Sequence, residues 1–289
     1  MNLSNENVIH IKKGNVEYLQ FRRLLEYSDD IQHLYSLGLN RNFRTLKNVG
    51  DISSTEYNQA LRDYKDFTKE IGGNEKQVVK PIQRHTGNIE VINAKINKDR
   101  PDICNEKYDG IDGLITSKKE IILSTTNADC ILMLFFDPVK KVIANVHSGW
   151  KGTIQRISVN TINKMQKEYN CDVKDIICCI CPSIRKCHFE VEKDVKDIFE
   201  NEYEELLKNI ENNKYVNCKR DDIILETKKN KKWNIDTVLI NKIILQEIGI
   251  KEENIIDSGI CSVCQSNIIH SYRKEKEGFG LNTAMIKLN

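Results

Sequence analysis

The stretch KEIILSTTNADCILMLFFDPVKKVIANVHSGWKG, residues 119–152, decides the fold class. It holds three apolar runs, IILSTT, ILMLFFD and KVIANVH, each of strand length and rich in β-branched or aromatic residues. Their near-continuous apolar character predicts strands covered on both faces. Asp137-Pro138 supplies a turn between the last two. Beyond His147 the period becomes helical: Ile154, Ile157, Thr161 and Met165 recur on one face, so Gly149 to Gly152 reads as a strand-to-helix turn.

Outward from this block, the same periodicities organise the rest. A helix is predicted in STEYNQALRDYKDFTKEIGG, capped by Ser53 or Ser54 and ended by the glycines after Ile71. KQVVKPIQRHTGNIEVINAK gives two β-rich runs with His85 near a strand end or turn. Downstream, one amphipathic helix carries Val191, Val195, Ile198 and Phe199. Another follows Asn234 through Val238, Leu239, Leu245 and Ile248. Helices interleaved with buried strands predict a layered α/β (α+β) domain. No repeat or Pro/Gly/Ser-rich linker divides the chain, so residues 1–289 read as one domain, with an exposed, lysine-rich excursion at 208–232.

Composition narrows the function classes. The 289 residues carry 44 basic and 42 acidic side chains, a formal charge of +2, so no strong field directs the protein to nucleic acid or an anionic membrane. A small or neutral substrate fits better. The opening MNLSNENVIHIKKGN lacks a signal-peptide core and no run is long enough to span a bilayer, which predicts a cytoplasmic protein. Ten cysteines in such a chain are expected to stay reduced. Cys104, Cys171 and Cys218 stand alone and are read as packing residues.

Three His or Cys ligands with a fourth position open to water form the usual plan of a catalytic zinc site. His85, Cys130 and His147 all fall at predicted strand ends or turns, where neighbouring strands can bring distant residues together. The turn HSGWKGT offers a second feature. Backbone N–H groups at a helix start attract anions and Lys151 adds a cation, although the glycines serve equally well to make a tight turn with Trp150 packed on the sheet.

The ordered segments QRHTG, NADC…NVHSGWKG, ICPSIRKCHFEVEKDV and CSVC…SYRKEKEGFG resemble the laccase-domain (polyphenol-oxidase-like) family, regarded as zinc-dependent purine nucleoside phosphorylases. The resemblance is closest over roughly the last two-thirds of the chain. It implies a mixed β-sheet flanked by helices and His85, Cys130 and His147 as metal ligands. It also implies phosphorolysis of purine nucleosides, including S-methyl-5'-thioadenosine, and hydrolytic deamination of adenosine. Purine nucleosides and inorganic phosphate are then the partners. Arg273 matches a family arginine suited to holding phosphate or ribose. Asp129 is a candidate proton carrier or orienter of His147, and Gln83 a candidate ribose contact.

The chain also departs from the family pattern. The early Phe-Ser-Thr-Arg segment appears only as LYSLGLNRNFR, which leaves Arg41 or Arg44 to replace the expected arginine. His188 stands where a second cysteine is common. Cys178, Cys179, Cys181, Cys187 and His188 are compatible with a second metal or, for the first three, with alternation along a buried strand. Cys261 and Cys264 in CSVC suit packing as well as metal or redox chemistry. Two other classes remain open: a copper-dependent polyphenol oxidase and a non-catalytic nucleoside-binding protein. With six histidines, of which His10, His33 and His270 are scattered, a single mononuclear site is the expectation, at which Cu2+ can substitute for Zn2+. Oligomeric state is not legible.

Overall fold

The computed structural model describes residues 2–45, 54–93, 103, 105–215, 217–227 and 231–289. The three runs of the opening block form the strands Ile122–Asn127, Ile131–Asp137 and Val142–Ser148, and every residue in them is buried. Side-chain alternation explains the continuous apolar character. Ile131, Met133 and Phe135 enter one hydrophobic cluster and Leu132, Leu134 and Phe136 another. Each such Leu or Phe, fully buried, contributes about 1.5–3 kcal/mol relative to exposure.

The expected layered α/β architecture with flanking helices is present, with the sheet doubled. One mixed six-stranded sheet runs in the order Val8–Lys13, Val16–Phe21, Ile31–Ser36, Asn282–Leu288, Ile122–Asn127, Val78–Val79. The other runs Ile255–Asp257, Ile177–Ile180, Ile131–Asp137, Val142–Ser148, Gly113–Thr116, Ile89–Val91. Their facing sides meet through Leu123, Ala284 and Ile286 against Leu132, Leu134 and Ile143. The outer face of the first sheet packs on Tyr64 and Phe67 of the helix Ser54–Glu70. The outer face of the second packs on Ile157, Ile162 and Met165 of Ile157–Tyr169 and on Val238 and Leu245 of Thr237–Glu247. Between the sheets, Asn145 donates to the carbonyls of Leu123 and Ala284, so the buried amide cross-links both layers.

Local expectations fared unevenly. The helix Ser54–Glu70 ends before Gly72, whose φ of +66° suits glycine; Ser53 lies outside the described residues. The helical run after His147 is two helices, Trp150–Ile154 and Ile157–Tyr169, broken at Arg156 with φ +53°. The break lets Ile154 and Ile157 serve different clusters. Val191 lies not in a helix but in the strand Glu190–Val191, and the helix begins at Lys193. The segment expected as an exposed excursion buries Ile210, Ile223 and Ile224, and its strand Ile224–Glu226 pairs with Trp233–Ile235 in a three-stranded sheet. Its lysines hid that apolar set; residues 216 and 228–230 are outside the description.

Cys171, Cys178, Cys179 and Cys181 are buried, and burial pushes all four thiols up, which makes them packing residues. Cys218 is half-buried, and Cys104 lies outside the described residues. Among the described residues no helix is long and apolar enough to cross a membrane.

Candidate metal centre

The turn Ala128–Cys130 carries the chain from the end of one large sheet to the start of the other. Antiparallel register then sets His147 opposite Leu132, two residues past Cys130. The third residue, His85, comes from the loop between Val78–Val79 and Ile89–Val91 and has φ +62°. Asp129, beside Cys130, has φ +88°. Left-handed backbone at two non-glycine residues is strain of the kind that concentrates at functional sites.

Asp112 holds this conformation. One carboxylate oxygen accepts the backbone N–H of His85 at 3.0 Å and lies 2.7 Å from His147 Nδ1. The other accepts the N–H groups of Arg84 and Thr86 and the Thr86 hydroxyl. A single fully buried carboxylate thus folds the 84–86 turn and orients the imidazole. Burial works to raise its pKa, but His147 and Thr86 hold it below the usual carboxylate range.

The donor atoms of His85, Cys130 and His147 all lie within 4.8 Å of one another. Cys130 Sγ is 3.8 Å from His85 Nε2, and the two imidazoles meet edge-on at 4.9 Å. Gly149 makes room for them: a Cβ there would lie 2.6 Å from His85 Cδ2. Burial opposes ionisation of Cys130, yet His147 and His85 bring its thiol down to about 6. Burial also opposes a charge on His147, yet Cys130 and Asp112 push it up to about 9. Ligation takes the thiolate and the neutral imidazole, so a cation bound at this centre would displace protons from the pair. Two nitrogens and a sulfur at these separations fit zinc, whose S and N ligands sit about 3.6 Å apart in a tetrahedron.

The centre opens on a cleft of about 1090 Å³ whose walls include Lys80, Arg84, Phe189, Tyr272, Arg273 and Phe279. Gln83 lines it, but its amide reads the Thr126 backbone in both directions. Asp129 accepts from the Ser262 hydroxyl at 2.6 Å and from the Arg273 N–H at 2.6 Å. It does not touch His147; Asp112 does that work. Arg273 lines the cleft while donating to the carbonyls of His188 and Glu190. Lys151 is not brought to the cleft wall: its Nζ stands 5.5 Å from the Trp150 ring centroid. Arg41 pairs with Asp63 and Asp66, whereas Arg44 stacks on the cleft residue Phe279 at 4.2 Å. Sequence reading missed Asp112, whose spacing marks no motif, and Tyr272, 57% exposed beside Phe279.

A family model described as multi-copper polyphenol oxidoreductase laccase matches residues 38–289. The chain belongs to this family. Within the laccase family it is 28% identical over 253 residues to the mouse protein named purine nucleoside phosphorylase LACC1, covering 83% of this chain and 54% of that one. It is 26% identical over 205 residues to a prokaryotic protein named adenosine deaminase RL5, covering 71% and 72% of the two. The chain spans about half the length of the first curated relatives it matches. The crystal structure of Bacillus licheniformis hypothetical protein YfiH has the same fold, with TM-score 0.75 at 20% identity over 94% of this chain and 96% of that one.

Proposed function

We propose that residues 1–289 act as one cytoplasmic, zinc-dependent purine nucleoside domain. It cleaves adenosine, inosine- and guanosine-type nucleosides and S-methyl-5'-thioadenosine with phosphate, and deaminates adenosine hydrolytically to inosine. The observation that carries this reading is the convergence of His85, Cys130 and His147 on one cleft, in a family whose relatives are named for these two activities.

His85, Cys130 and His147 would hold the ion. Bound there, the ion would supply Lewis acidity. The chain's own residues do the rest. Asp112 accepts at His147 Nδ1 and so presents Nε2 toward Cys130. Asp129 fixes the backbone of Arg273, which lines the cleft together with Lys80 and Arg84, a set of cationic side chains suited to phosphate. Tyr272, Phe189 and Phe279 offer flat apolar surface to a purine.

Among the described residues, histidines other than His85 and His147 are engaged elsewhere. His10 bonds Glu17, His33 the Phe21 N–H and His270 Glu275, and His188 lies beside the sulfurs of Cys187, Cys261 and Cys264. This favours a mononuclear centre in the cleft over the clustered coppers of a multicopper oxidase, with copper as a substitute for zinc.

Chromatography of adenosine reactions, with and without phosphate and under air or nitrogen, tests the reading. Adenine and ribose 1-phosphate are expected with phosphate, and inosine and ammonia without it. Oxygen consumption with a phenol and indifference to phosphate would support an oxidase, and binding without product a non-catalytic protein. Either result would remove the proposal.

A further inference from the structure

RKCH at 185–188 and CSVC at 261–264 are far apart in sequence, but the fold sets them side by side. Strand Ile177–Ile180 pairs in parallel with Ile255–Asp257, and a bridge continues the alignment from Ser183 to Cys261. The loops that follow the two strands therefore leave the same sheet edge together.

Four side chains converge where they meet. Cys187 Sγ lies 3.6 Å from Cys261 Sγ, 4.0 Å from Cys264 Sγ and 3.1 Å from His188 Nδ1. His188 Nδ1 is 3.6 Å from the sulfurs of both Cys261 and Cys264. A tetrahedral zinc with Zn–S of about 2.3 Å and Zn–N of about 2.0–2.1 Å sets its sulfurs about 3.8 Å apart and sulfur from nitrogen about 3.6 Å. The two sulfur–sulfur edges and the edges from His188 to Cys261 and Cys264 lie within about 0.2 Å of that polyhedron, the Cys187–His188 edge at 3.1 Å is tighter and must open by about half an ångström, and the sulfurs are far from the roughly 2.05 Å of a disulfide. All three cysteines are free thiols.

We propose that Cys187, His188, Cys261 and Cys264 form a second zinc site, structural and closed, separate from the centre in the cleft. Three thiols give their protons to solvent and the ion takes three sulfurs and one nitrogen, with no redox change and no open position. Softness selects zinc over magnesium or calcium. Cys187 and Cys264 are exposed, so the ion enters from solvent.

The site clamps one wall of the cleft. The His188 carbonyl accepts from Arg273 Nη1 at 2.8 Å, and Ser262, between the two CSVC cysteines, donates to Asp129. The Ile184 N–H donates to the Asp129 carbonyl at 2.7 Å. Joining the two loops therefore fixes both Arg273 and Asp129.

Elemental analysis of protein purified under reducing conditions with zinc tests this. Wild type should carry two equivalents, Cys264→Ser one, Cys130→Ala one and the double variant none. Equal zinc in wild type and Cys264→Ser would overturn the second site, as would a mass lower by two hydrogens, marking a disulfide. Loss confined to Cys264→Ser would keep this site and remove the one in the cleft, so the two proposals fail separately. A further readout uses cobalt(II)-loaded Cys130→Ala. Intense thiolate-to-cobalt absorption is expected, and its absence contradicts three-thiolate ligation.

Discussion

Asp112 Oδ1 and His147 Nδ1 lie 2.7 Å apart with both side chains buried, so the carboxylate fixes the ring's orientation and tautomer. Partners of this kind typically change metal affinity by about 10–100-fold. Asp112→Asn should weaken zinc binding at the cleft centre within that range, read by competition with a chelator. Unchanged affinity would mean that the carboxylate serves only to fold the 84–86 turn.

Gly149 has φ −67° and ψ 177°, open to any residue, so an alanine there meets no backbone penalty. Its Cβ would instead stand 2.6 Å from His85 Cδ2 and 3.3 Å from Cys130 Sγ. Gly149→Ala should displace His85 and lower kcat/KM by about tenfold or more, since small misplacements at a reacting centre are costly. Thermal unfolding should move little by comparison. Full activity in this variant would contradict the placement of His85.

Arg273 and Tyr272 line the cleft and Lys151 does not. Arg273→Ala should raise the KM for phosphate more than Lys151→Ala does, and Tyr272→Ala should raise the KM for the nucleoside with zinc content unchanged. A larger phosphate effect from Lys151 would return the anion site to the start of the helix Trp150–Ile154.

His33 is fully buried and its Nε2 accepts the Phe21 N–H at 2.7 Å. Burial depresses its pKa from 6.5 to about 3. Between those values the unfolded chain binds a proton that the folded chain refuses, so stability is intact above about 6.5 and falls as pH drops toward 3. The slope from this residue is about 1.4 kcal/mol per pH unit. Urea midpoints measured across this window should flatten in His33→Gln, after allowance for its lower baseline. An unchanged slope would contradict the assignment.

The buried strands were legible at 119–152 because burial on both faces leaves an unbroken apolar run. The doubling of the sheet was not, since Leu132 and Met133 look alike in sequence although they face different layers. The gathering of His85, Cys130 and His147 followed from their motifs and the resemblance. Asp112 did not, because a carboxylate that collects backbone N–H groups leaves no periodic signal. In sequence, Cys187 and His188 group with Cys178, Cys179 and Cys181, which the fold buries as packing residues, and Cys261 and Cys264 stand apart from them. The parallel pairing that joins them is a long-range contact that no local pattern records.

The central claim is that one metal held by His85, Cys130 and His147 serves both reactions of adenosine. The most direct measurement follows adenine and inosine formation, with and without phosphate, in wild type and in His85→Ala, Cys130→Ala and His147→Ala, alongside zinc content and circular dichroism. The account predicts folded variants that each lack the cleft zinc and lose both products together. A folded variant without that zinc that still forms either product at the wild-type rate would contradict it.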